Sequence, residues 1–216
     1  YRNVAWQSFV EGGETGRRCD GSLGISDAEA KPYFLVTSRL PDCQQTPITL
    51  TVQRSDQIRY GRFGRSELMT PEKGKPFDES RFAFQPEQKW RADLAAQAEQ
   101  HDGRVLIYVH GYNEIFSVTA NDTADIAEYT GFDGPVVHYS WPSRGALLSY
   151  TIDENNADYE EEYFAAIVNN IALLSQVKEV ILLSHSMGAR LAIPAIEHVD
   201  RNADKTISAK FKNIIL

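Results

Sequence analysis

The sequence predicts an α/β fold, a mostly parallel sheet with antiparallel strands at its start and helices on its faces. Three observations point there. Short, continuously apolar runs at 105–109, 136–139 and 180–183 have the length and β-branched content of strands buried on both faces. Segments of helical period separate them, as βαβ units require. Before residue 65 the chain instead carries shorter, alternating β-type runs set between polar turns.

In chain order, residues 1–32 are rich in Gly, Ser, Arg and acids without a sustained period. They form an irregular N-terminal segment, with at most a short strand at 4–9. The domain proper spans 33–216. Its first strand is 33–38, followed by the turn chemistry of Leu40-Pro41-Asp42. An alternating strand at 48–52 is expected to pair with 58–63 across the polar turn Arg54-Ser55-Asp56. Residues 70–85, rich in Pro, Lys and Asp, read as a connecting loop. A helix at 86–100 places Trp90, Leu94 and Ala95 on one face. Then come the strand 105–109, a helix at 117–129 capped by Gly131, and the strand 136–139. A helix at 156–174 has Tyr163, Ile167, Ile171 and Leu174 at helical spacing, and the run Glu160-Glu161-Glu162 is expected as its solvated face. The strand 180–183, a helix at 187–198 and a strand beginning at Phe211 complete the series.

A length of 216 residues suits one domain with a real core. The net charge of −8 argues against a nucleic-acid partner, which needs clustered Lys and Arg. No apolar run approaches the roughly 20 residues that span a bilayer, so no transmembrane segment is expected. Cys19 and Cys43 are the two cysteines. A disulfide between them would imply an extracytoplasmic, periplasmic or secreted setting, and two free thiols a cytoplasmic one. Their turn-rich surroundings tilt toward the disulfide, but two cysteines decide neither. No His/Asp/Glu cluster has metal-ligand spacing, so no metal and no cofactor is expected.

The chemistry concentrates at Ile181-Leu182-Leu183-Ser184-His185-Ser186-Met187-Gly188. A buried strand running into small-x-Ser-x-Gly and then a helix is the arrangement of a nucleophile elbow, with Ser184 where glycine is usual. So tight a turn requires small residues two positions either side of the serine, hence Ser184 and Gly188. It would hold the Ser186 hydroxyl at the carboxyl end of the sheet. The helix beneath would offer the Met187 N–H and its positive end to an oxyanion.

The second signal is the strand 105–109 ending in His110-Gly111-Tyr112-Asn113. In this kind of sheet the strand two βα units before the elbow is its neighbour, and its loop supplies the other oxyanion donor, here the Tyr112 N–H. Gly111 would let backbone approach the substrate, and His110 would brace the loop rather than act as base. Trp141 is expected to pack at the rim, with contact to an acyl chain as the alternative.

His-Gly-Tyr-Asn at 110–113, Ser-Trp-Pro-Ser at 140–143, Tyr150 with Asp153, and His-Ser-Met-Gly at 185–188 together resemble an uncharacterised α/β-hydrolase family, domain of unknown function 900, related to esterases and lipases. The segments 34–39 and 60–62 are also similar to that family, so the likeness runs over about 33–216. It implies the α/β-hydrolase fold and a serine hydrolase, without a substrate. In this fold the nucleophile precedes the acid and then the histidine, so both partners of Ser186 are expected beyond Leu216, and a C-terminal remainder of the polypeptide would complete the sheet. None of His101, His138, His185 or His198 is well placed as base.

The leading function is therefore hydrolysis of a small-molecule ester or other acyl substrate through an acyl-enzyme on Ser186. The alternatives are a non-catalytic binding or scaffolding module that keeps the fold, or an acyltransferase using the same serine.

Overall fold

The computed structural model describes residues 31–42, 49–65, 82–143, 150–202 and 205–216. The expected strand at 4–9 and the Cys19–Cys43 pair lie outside them. Among the described residues the strands are β1 (Tyr33–Asp42), β2 (Thr49–Phe63), β3 (Phe82–Phe84), β4 (Arg104–Val109), β5 (Val136–Ser140), β6 (Glu179–Ser184) and β7 (Phe211–Ile215). They form one sheet in the order β3-β2-β1-β5-β4-β6-β7. β1, β2 and β3 pair antiparallel, and every pairing from β1–β5 onward is parallel. The helices are α1 (Glu87–Gln100), α2 (Phe116–Thr130), α3 (Tyr150–Ala172), α4 (Ala189–Asn202) and the short α5 (Lys205–Ser208). None among the described residues is long and apolar enough to cross a membrane.

The two faces of the sheet bury different sets. Val105, Ile107 and Val109 of β4 join Trp90 and Leu94 of α1, Phe164 and Val168 of α3, and Leu191 and Ala195 of α4 in the main core. On the other face Leu106 and Tyr108 pack with Ala127 of α2. α2 ends as expected: Gly131 takes φ +63, and the Gly131 and Phe132 amides cap the Glu128 and Ala127 carbonyls.

Four expectations are corrected. Of the 48–52 run, residue 48 lies outside the described residues; 49–52 and 58–63 do not pair with each other. They belong to one long β2 that pairs with β1, whose register jumps between Thr37↔Arg59 and Arg39↔Arg54, so the 55–58 stretch is absorbed as an irregularity. Leu40-Pro41-Asp42 is strand, not turn. β5 pairs with β1 only from Phe34 to Thr37, so the missing N–H of Pro41 breaks no ladder on that side. The supposed loop at 70–85 contains the edge strand β3; its residues 70–81 lie outside the described residues. β3 is seated through Gly61, where a Cβ would sit 2.5 Å from the Ala83 carbonyl oxygen.

The fourth concerns Glu160. It is fully buried, because helical spacing puts it on one stripe with Ala157 and Phe164. There it accepts the Tyr139 hydroxyl and, at 3.0 Å, the Arg54 guanidinium. The stripe could have been read from the sequence; its partners, 21 and 106 residues away, could not. α3 also begins at Tyr150, six residues before the expected start at 156, and α5 was not foreseen.

Candidate active site

β6 ends at Ser184, His185 stays extended (φ −115, ψ 129), and Ser186 turns sharply to φ +53. Ser186–Gly188 form one 3₁₀ turn that continues into α4. L-residues pay about 1–2 kcal/mol for this left-handed conformation, so a serine holds it only where its surroundings impose it. Gly188 is one such constraint: a Cβ there would lie 2.6 and 2.7 Å from the His110 and Val109 carbonyl oxygens. Ser184 is buried and its hydroxyl leans on the Ile215 carbonyl at 3.4 Å. Ser186 itself is exposed, Met187 and Gly188 are buried. Met187 is the second residue of the turn, where an amide has no intrahelical acceptor.

The loop after β4 lies against this bend. Val109 pairs with Ser184 and the His185 amide donates to the Val109 carbonyl (3.1 Å), so β4 and β6 leave the sheet side by side. Gly111 sits so close that a Cβ would lie 2.9 Å from the His185 ring and 3.0 Å from the Ser186 Cβ. Tyr112 is half-buried against the main core, and Asn113 takes φ +64. The Gly111 amide donates to Glu114 Oε2 at 3.1 Å, which commits that N–H to the loop itself. His110 is fully buried, with Nδ1 2.9 Å from the Gly111 carbonyl and Nε2 3.0 Å from that of Trp141. Trp141 stacks on the His110 ring (centroids 5.1 Å, planes 4° apart) and returns a bond from Nε1 to the His110 carbonyl. Trp141 is fully buried and packs within the core.

A buried polar frame supports this loop from below. Arg39, fully buried, donates from Nε to the Ser140 hydroxyl (2.9 Å), from Nη1 to the Ser143 carbonyl (3.2 Å) and from Nη2 to the Glu114 carbonyl (2.9 Å). The Glu114 amide donates to the Ser143 hydroxyl (3.1 Å), which donates to Asp153 Oδ2 (2.6 Å). Ser140, Ser143 and Asp153 of the sequence pattern thus brace the loop at 110–114. Arg39 and Glu114 were not singled out in the sequence. The Glu114, Ser140 and Ser143 partners of Arg39 lie 75 to 104 residues from it in the chain, a separation no local pattern records.

Burial holds the His110 ring below its ordinary value, opposed by the Glu114 carboxylate 3.5 Å from Nδ1. Burial alone would raise Glu114; His110, the Gly111 amide and His185, whose Nδ1 is 3.5 Å from Oε1, outweigh it and keep the carboxyl below its usual range. His138 is buried beside Tyr108 and pushed well down by burial. Its Nε2 bonds the Thr119 hydroxyl at 2.9 Å and its ring stacks on Tyr108, as a neutral core residue would.

Asp122 of α2 is pushed up to about 6 by burial and by the carboxylates of Glu114 and Asp125, with His185 opposing. A raised folded-state value favours the protonated form. The fold is therefore best supported below the ordinary aspartate range and loses that support as pH rises through about 6. Asp122→Asn is expected to leave the unfolding free energy unchanged at acid pH and to raise it at pH 8 by on the order of 1 kcal/mol, the half-buried site being screened by solvent. Denaturant titrations at the two pH values check this; equal effects at both would contradict it.

β4 and β5 are visited in one direction across the sheet, and β6 then returns to the far side of β4. The bend and the loop lie at the carboxyl ends of the strands flanking this reversal, where open α/β sheets bind ligands. Strand, left-handed serine, helical turn and Gly-containing neighbour loop on such a sheet define the α/β-hydrolase class. The chain belongs to the family described as alpha/beta hydrolase of unknown function (DUF900), whose model matches residues 86–216. That span takes in the loop and the bend but begins after β3, so the likeness of 34–39 and 60–62 lies outside it. No curated protein and no solved structure matches the chain.

Proposed function

We propose that the protein is a serine hydrolase acting on carboxylic esters. The Ser186 Oγ attacks the carbonyl carbon, and the oxyanion is held by the Met187 and Tyr112 N–H groups. The alcohol leaves with a proton, and water then attacks the acyl-enzyme to release the acid and regenerate Ser186. The observation that carries this reading is the strained backbone of an exposed serine, φ +53, at the start of a helical turn and against Gly111.

The base is expected downstream of β7, in the order nucleophile, acid, histidine. The described histidines agree with that order. His110 and His138 are buried, and His198 lies about 14 Å along α4 from its first residue, Ala189. His101 precedes β4, at the opposite end of the sheet. His185 is turned to Glu114. Thioesters, amides and lipid esters fit the same chemistry.

Turnover of p-nitrophenyl esters by the full-length protein is the test. Ser186→Ala is expected to lower kcat by roughly 10⁴-fold or more. Turnover that survives the substitution would refute the assignment.

A further inference from the structure

Glu114 reaches both halves of the site. Its backbone is pinned at both ends, the amide by the Ser143 hydroxyl (3.1 Å) and the carbonyl by Arg39 Nη2 (2.9 Å), so the side chain starts from a fixed point. One carboxylate oxygen accepts the Gly111 N–H at 3.1 Å and lies 3.5 Å from His110 Nδ1; the other lies 3.5 Å from Nδ1 of His185, beside Ser186.

These contacts decide where the next amide points. The Gly111 carbonyl and the Tyr112 N–H belong to one planar trans peptide and are directed oppositely. His110 Nδ1, 2.9 Å from the Gly111 oxygen, therefore aims the Tyr112 N–H the other way. His110 faces a carbonyl with each ring nitrogen, and a neutral ring can donate to only one of them. A negative charge beside Nδ1 favours the proton there. Glu114 thus fixes the Gly111 amide directly and its carbonyl through the His110 proton.

We propose that Glu114 is a positioning residue for the reaction at Ser186, its carboxylate clamping the loop after β4 to the bend and aiming the Tyr112 N–H. This rests on the serine-hydrolase reading. It adds that the donor's direction depends on a carboxylate that touches neither substrate nor nucleophile.

The full-length protein is compared with Glu114→Ala and Glu114→Gln by p-nitrophenyl ester kinetics and by amide hydrogen exchange at Gly111. In the alanine variant kcat is expected to fall roughly 10- to 100-fold with KM within about threefold, because an oxyanion donor acts in the transition state. The Gly111 amide should exchange about tenfold faster or more. Glutamine still offers an oxygen to Gly111 but no charge to His110, so that variant should retain most of the Gly111 protection and show a kcat between those of wild type and the alanine variant. A merely structural residue would lower stability without this split between kcat and KM and without rescue by glutamine. Unchanged Gly111 exchange in the alanine variant, or equal impairment of both variants, overturns the clamp. If the wild-type protein does not turn over esters, the serine-hydrolase reading fails, and the exchange data alone decide whether Glu114 holds the loop.

Discussion

Ser186→Gly is expected to abolish ester cleavage and also to stabilise the protein, by about 1 kcal/mol. Among the described residues the non-glycine positions at positive φ are Asp102, Asn113 and Ser186. Asp and Asn tolerate the left-handed region through local hydrogen bonding, whereas serine has less to offset the clash of its Cβ with the backbone. Glycine removes that Cβ and so relieves the strain, at the cost of extra freedom in the unfolded chain. The net gain corresponds to roughly 2–4 °C in Tm for a chain of this size. Ser186→Ala separates the two effects: it removes the proposed nucleophile but keeps the Cβ, so activity is expected to go and no stabilisation to follow. Thermal unfolding of the three proteins side by side is decisive. If Gly and Ala variants melt together, the backbone at 186 is not strained as described.

The second large effect falls two residues on. Gly188→Ala is expected to cost about 2–4 kcal/mol and to lower ester turnover far beyond what lost stability explains. The added methyl would meet the carbonyl oxygens of His110 and Val109 at 2.6 and 2.7 Å, and both are backbone atoms already held, Val109 by the His185 amide and His110 by Trp141 Nε1. The conflict is relieved only by moving α4 away from the sheet or by moving the loop at 110–114, and either displaces one of the two amides assigned to the oxyanion. Urea titration gives the stability term, and kinetics on the fraction still folded gives the other. A variant as stable and as active as wild type would show that the turn packs less tightly than these distances require.

Much of this was legible in the residues. Continuous apolar runs identified β4, β5 and β6, because strands covered on both faces need no polar alternation. The bend at Ser186 was legible because its steric demands are local: small side chains two residues either side of the serine, after a buried strand. The loop at 110–113 followed from the rule that places its strand beside the elbow strand. The first three strands were read less well. Their pairing involves register jumps between β1 and the fifteen-residue β2, and alternation within a short window cannot see these. Arg39, Glu114 and Glu160 were missed or misjudged for one reason: each is a charge, fully buried at 39 and 160 and half-buried at 114, whose meaning lies in its partners. Burying a charge is unfavourable unless it is bonded, so such residues occur where distant segments supply the bonds. A charged residue directly after His-Gly-Tyr-Asn, and a glutamate on the apolar stripe of α3, are the marks that could have raised the question.

The nucleophile assignment meets its most direct test in site-mapped phosphonylation of the full-length protein. After reaction with a fluorophosphonate and tryptic digestion, the peptide spanning residues 179–190 contains both Ser184 and Ser186. Fragmentation is expected to place a single adduct on Ser186. An adduct on Ser184 or on another peptide, or none where a control esterase is labelled, would contradict it.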